Sequence, residues 1–140
     1  MDRDIVAQKL ESLRRCIKRI EEKCPSTAEA LQHDIDAQDI VSLNLTRAIQ
    51  LCVDIGAHLI AETESPPPET MGQTFDLLAA IEIIDSPLAL RMKKAVGFRN
   101  LAVHDYDAIN WTIVHALASR NLGDFREFAK SVVTQLANDQ

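Results

Sequence analysis

The eight residues Arg99-Asn100-Leu101-Ala102-Val103-His104-Asp105-Tyr106 hold an arginine, an amide, a histidine and a tyrosine. An arginine grips a phosphate through paired, charge-assisted hydrogen bonds. A histidine near neutral pH can take a proton from a hydroxyl and return one to a leaving oxygen. RNA carries its own nucleophile, the 2′-hydroxyl beside each phosphate. Arg99 and His104 are therefore enough for metal-free RNA cleavage by internal transesterification. Tyr106 can bond the phosphate, stack on a base or accept a covalent modification. The same residues also have an ordinary structural reading, which residue types alone favour. In it Arg99 pairs with an acid, His104 caps a helix and Tyr106 is half-buried.

Geometry sharpens the question. An α-helix turns about 100° per residue, so Arg99 and Tyr106, seven apart, would share a face. Arg99 and His104, five apart, would point about 140° away from each other on one continuous helix. They can converge only if the helix ends or distorts before His104, or if a second copy supplies the missing group. Both routes place a site at a helix end.

The 140 residues suit one domain, 1–140, with a single core. Gly and Pro are scarce and aromatic residues make up 4%. Strands favour aromatic and β-branched residues, whereas this chain is rich in Ala, Leu, Ile, Glu and Gln, so an all-α fold is expected. No apolar run reaches the roughly 18 residues of a membrane span. The start Met-Asp-Arg-Asp lacks the pattern of a signal peptide. Cys16, Cys24 and Cys52 are odd in number and lack Cys-x-x-Cys spacing, which predicts reduced thiols and a cytoplasmic protein.

The net charge of −6 argues against general affinity for nucleic acid. The charge is uneven, however. Between Ser86 and Tyr106 stand Arg91, Lys93, Lys94 and Arg99 against a single acid, Asp105. A local basic patch on an acidic body suits one phosphate group better than a long groove, and Lys94 is a candidate RNA contact. A solvated helix face is the alternative reading of the same charges. His33, His58 and His115 have no metal-ligand spacing and read as surface or packing residues. No Gly-rich phosphate loop, Gly-x-Ser-x-Gly or His-Glu-x-x-His is present, and neither metal nor cofactor is expected.

The elements that must position the site follow from periodicity. Val6, Leu10, Leu13, Ile17 and Ile20 form one helical stripe, ended at Cys24-Pro25. Ser26 with Glu29 resembles a capping box and opens a long second helix over about 27–61. Gln38 interrupts its apolar seam, amid Asp34, Asp36 and Asp39. This break is a buried hydrogen-bonded spot, a point facing the active site or, as expected here, a solvated stretch. Pro66-Pro67-Pro68 makes a stiff connection. Thr70 with Gln73 is a second capping box, opening a third helix that closes near Asp85. Ser86 as N-cap and Pro87 at the first position open the fourth, which the Arg99–Tyr106 stretch ends. Asp107 can cap a fifth helix, stopped at Asn121-Leu122-Gly123, and Asp124 a sixth. Six helices with mostly short turns describe an antiparallel up-and-down bundle. Leftover apolar surface on so small a bundle is usually covered by self-association, most commonly as a C2 homodimer.

Arginine, four residues, histidine, one residue, tyrosine resembles the signature of the HEPN superfamily, specifically its HepT-like toxin branch. Asn100 directly after Arg99 also fits. So do the Ser86-Pro87 helix start, the basic helix before the motif, the Asp107–Ala118 helix with Trp111, and the long second helix. The resemblance implies an HEPN-like bundle that dimerises and brings two motifs into one cleft. It implies a metal-independent ribonuclease toxin with Arg99 and His104 catalytic and Asn100 supporting. It also implies an MntA-type nucleotidyltransferase antitoxin that uses ATP to adenylylate Tyr106. Bulky negative groups beside Arg99 would then occupy the phosphate site and repel RNA. The rival reading is a non-catalytic HEPN-type binding module that accompanies a nucleotidyltransferase.

Overall fold

α1 (Arg3–Lys23) lies along α3 (Ile35–Ala61), and the two run antiparallel. Lys9, early in α1, meets Asp54, late in α3, at 3.7 Å, while Cys16 further along α1 lies near Arg47. Between them sits the short α2 (Ala28–Gln32). α4 (Met71–Ala80), α5 (Ser86–His104), α6 (Trp111–Ser119) and α7 (Leu122–Asn138) complete the all-α bundle, with a 3-10 turn at Tyr106–Ala108. The computed structural model describes residues 2–139.

α3 is the central element, touching every other α-helix. An 18-residue window of it has a mean hydropathy of 1.2, enough by length and composition to cross a membrane, but 56% of that window is buried inside the protein. The apolar faces of all these helices meet in one core. α7 packs against α1 in the opposite sense. Arg3 donates to the Leu136 carbonyl at 2.9 Å at one end, and Arg126 meets Glu21 at 2.7 Å at the other.

The cap residues explain where the sequence reading holds and where it shifts. Thr70 caps α4 as expected, accepting from Gln73 N at 3.1 Å, and Gln73 Oε1 reaches back to Glu69 N. The other caps move by one to three residues, and at α2, α5 and α6 a neighbouring side chain with the same chemistry takes the post. Thr27, not Ser26, caps α2. Asp85, not Ser86, caps α5, accepting from Leu88 N at 2.8 Å. Asn110, not Asp107, caps α6, and Asp107 lies within the 3-10 turn. Asn121 holds the cap position of α7, and Asp124 sits inside its first turn.

The expected helix over 27–61 is two helices. Asp34 caps α3 by accepting from Ala37 N at 3.0 Å. Gln38 is not merely solvated. Its amide donates to the carbonyls of Leu31 and Gln32, at 2.9 and 3.0 Å, satisfying the end of α2 from the start of α3. The polar interruption of the seam is thus the device that joins the two helices.

Gly56 is buried where α3 meets α4. An added Cβ would lie 2.6 Å from Thr74 Cγ2 and 2.9 Å from Leu78 Cδ1. Gly56→Ala should therefore destabilise the fold. Overpacking costs about 1–3 kcal/mol, against a helix-propensity gain of at most about 1 kcal/mol. A lowered urea midpoint at unchanged m-value would confirm the clash, and a raised midpoint would refute it.

Candidate active site

Leu88, Met92, Ala95 and Val96 form the buried stripe of α5, and Arg99 continues that stripe toward the helix end. Its position explains its surroundings. The Arg99 stem is partly buried and its Nε is enclosed with no protein acceptor. Nη1 donates to Asn100 Oδ1 at 3.3 Å. Asn100 is thus a hydrogen-bond partner of the guanidinium. A buried donor left unmatched is uncommon and calls for an explanation. Enclosed as it is, Nε does not meet a phosphate in this conformation, and the Nη end, which carries the exposed contact to Asn100, is the part of the guanidinium open to one.

His104 is the last residue of α5 and is exposed. The helix runs without a break through it, as Asp105 N donates to the Leu101 carbonyl at 2.8 Å. The helix therefore neither ends nor distorts before His104. On a regular helix Arg99 and His104 leave the axis about 140° apart, so the continuity of α5 removes one of the two routes to convergence.

Tyr106 opens the 3-10 turn and is 39% exposed, the half-burial that the ordinary structural reading also gives it. The phenol folds back onto the start of α3. Its Oη donates to Asp39 Oδ1 at 3.0 Å, and Ser42 Oγ lies 3.4 Å from the same oxygen. Asp39 and Ser42 are three apart in α3 and so face one way. The edge of Trp111 closes on the ring, with centroids 5.9 Å apart at 68°. Burial of the phenol, with the neighbouring Asp39 charge adding to it, pushes the Tyr106 pKa up despite the opposing Ser42 bond.

Asp39 and Ser42, which touch the Tyr106 hydroxyl, are neighbours that sequence reasoning did not pick out. The one signal for them was the polar interruption around Gln38, which had a site-facing reading among its alternatives.

The basic patch on α5 is smaller than the sequence suggests. Arg91 is held by Asp124 at 2.8 Å and by Glu127 at 2.9 Å, both from α7. The bond to Asp124 raises the Arg91 pKa, so its charge serves the packing of α5 on α7. Lys93 pairs with Asp76 of α4 at 3.1 Å. Lys94 and Arg99 are left without an acidic partner among the described residues. Lys94 opens onto a groove of about 270 Å³ with Leu117, Asn121 and Phe125, whose lining includes none of Arg99, Asn100, His104 and Tyr106. Among the other histidines, His115 is a packing residue, its Nε2 lying 2.9 Å from the Pro25 carbonyl. Among the described residues, no group of three or more His, Cys, Asp or Glu is placed to hold a metal.

The arrangement matches known proteins closely. A family model described as ribonuclease HepT-like matches residues 13–132. The mRNA nuclease HepT of Shewanella oneidensis is 38% identical over 125 residues, covering 89% of this chain and 93% of that protein. The tri-AMPylated Shewanella oneidensis HEPN toxin, solved in complex with MNT antitoxin, aligns with a TM-score of 0.88 at 36% identity, over 96% of this chain and 99% of its own. A crystal structure of a toxin–antitoxin with AMP-PNP gives a TM-score of 0.88 at 35% identity, over 94% and 98%. With the family model matching residues 13–132 and a curated relative 38% identical over 89% of the chain, this chain belongs to the ribonuclease HepT-like family.

Proposed function

We propose that this chain is the toxin of a HEPN/MNT toxin–antitoxin pair, a metal-independent endoribonuclease that cleaves RNA by 2′-hydroxyl transesterification. Arg99 holds the scissile phosphate and stabilises the charge that builds on it. His104 takes the 2′-hydroxyl proton and returns one to the departing 5′-oxygen. Asn100 holds the guanidinium, and Tyr106 and Lys94 contact RNA nearby. The observation that carries this reading is Arg99, without an acidic partner among the described residues, on the helix whose last residue is an exposed histidine. The Shewanella oneidensis relative named as an mRNA nuclease supports it.

The active unit is a C2 homodimer, because one chain turns its arginine and histidine apart. Val103, beside His104, is 50% exposed and is an apolar contact available to a second copy. An MntA-type nucleotidyltransferase silences the toxin by adenylylating Tyr106. The relative solved as a tri-AMPylated toxin with MNT antitoxin supports that partner and that chemistry. The three free cysteines, with Cys52 buried and its pKa well above the ordinary thiol value through desolvation, suit the reducing cytoplasm.

Mixing two inactive variants tests both the chemistry and the dimer. Arg99→Ala and His104→Ala homodimers should each fail to cleave a short RNA in the presence of a chelator. Refolded together, random pairing makes half of the dimers mixed, and each mixed dimer holds one intact site. Activity should return to roughly a quarter of the parent's. No recovery would overturn a site shared between copies. Failure of the parent dimer to cleave any RNA would leave the non-catalytic companion of a nucleotidyltransferase.

A further inference from the structure

We propose that Asp39 is the general base for adenylyl transfer onto Tyr106, drawing the phenolic proton as the hydroxyl attacks. The inference deepens the reading of Tyr106 as the adenylylated residue and rests on it.

Three observations carry it. First, Tyr106 Oη already donates to Asp39 Oδ1 at 3.0 Å, within the reach a general base requires. Second, the phenol is fixed rather than free, with Ser42 Oγ 3.4 Å from Oη and the Trp111 edge against the ring. Third, both Asp39 and Tyr106 are exposed, so a bulky nucleotide can approach and the carboxylate can pass its proton to water. Asp39 of α3 is the titratable group in contact with the hydroxyl, and Trp111 of α6 does not titrate.

The nucleophile needs such help. Burial and the neighbouring carboxylate both keep Tyr106 protonated, so free phenolate is scarce at neutral pH. A carboxylate is a weak base toward a phenol. The proton therefore moves as the new bond forms rather than beforehand. Tyr106 Oη attacks the α-phosphorus of ATP held by the nucleotidyltransferase. The Oη–P bond forms, and the bond from the α-phosphorus to the oxygen bridging it to the β-phosphorus breaks. Pyrophosphate leaves with that electron pair, and the phenolic proton passes to Asp39 and on to solvent.

Asp39→Asn separates the base from the tether, because the amide oxygen still accepts the Tyr106 hydrogen bond but does not take the proton. The chain in complex with its nucleotidyltransferase would be given MgATP, and adenylate gain followed by intact mass over time. At pH 7 the Asn variant should transfer about 10²-fold or more slowly, the lower end of what a positioned base contributes. Its deficit should shrink as pH rises and Tyr106 ionises unaided, a change that a lost structural contact would not produce. Parent-like rates for Asp39→Asn, with Tyr106→Phe unmodified, would overturn this proposal alone. An Asn deficit of equal size at every pH would overturn it too. Adenylate gain by Tyr106→Phe, or none by the parent chain, would overturn the underlying reading of Tyr106 and the proposal with it.

Discussion

His104→Ala will slow RNA cleavage by about 10²–10⁴-fold, the usual worth of a positioned acid–base group. The fold should hardly notice. His104 is exposed at the end of α5, and changes at such positions alter stability by about 0.5 kcal/mol or less. Single-turnover cleavage of a short labelled RNA, with chelator present, measures the first effect, and a thermal melt of the same preparation the second. The products carry a further mark of the mechanism. Internal transesterification leaves a 2′,3′-cyclic phosphate on the upstream fragment, so any residual cleavage with other ends belongs to a contaminant. A variant as fast as the parent, with cyclic ends, would remove His104 from the chemistry.

Phe128→Ala should cost about 3–5 kcal/mol, the range for deleting a buried phenyl ring. Whole domains of this kind are stable by only about 5–15 kcal/mol, so this one change endangers the fold. Phe128 is fully enclosed and meets Phe75 edge-on, with centroids 5.9 Å apart at 77°, which ties α7 to α4. Alanine would leave a ring-sized void between two helices that are also held from other sides, so full collapse is blocked. Urea unfolding followed by far-UV circular dichroism reads the loss. Any fall in RNA cleavage should then track the folded fraction, unlike the His104 variant, in which the folded enzyme is slow. A cost below about 1 kcal/mol would mean that α4 and α7 close the gap.

Much of this architecture was readable from one chain because helices announce themselves locally. The stripe Val6, Leu13, Ile17, Ile20 gives α1, and the Thr70–Gln73 pair gives the start of α4. Cap identity was less legible for a local reason. Asp85 and Ser86 stand side by side, as do Ser26 and Thr27, and either member of each pair can do the work. The break at His33-Asp34 was hidden because Leu31 and Ile35 keep a four-residue spacing across it. Only the Gln38 bonds, which depend on how two helices meet, expose it.

The motif itself, Arg99 to Tyr106, was legible because its residue types and spacing lie within one turn-and-a-half of helix and the turn that follows. Its neighbours were not. Asp39 is 67 residues from Tyr106 along the chain, and Asp124 and Glu127 are 33 and 36 from Arg91. Contacts at such separations follow from the packed bundle, and periodicity is silent about them.

The pairing of Arg91 with Asp124 and Glu127, and of Lys93 with Asp76, has a consequence for how RNA is chosen. Few counterions leave the nucleic acid when it settles on this helix. Two unmatched cations in each copy, four in a cleft shared by two, give a logarithmic dependence on ionic strength of only about −2.8 for a single strand. Potassium at cellular levels thus weakens the grip modestly, and long polyanions gain little from length alone. Selection passes to the shape of the strand and to bases that can swing free, which lets an acidic protein single out its target amid an excess of other RNA.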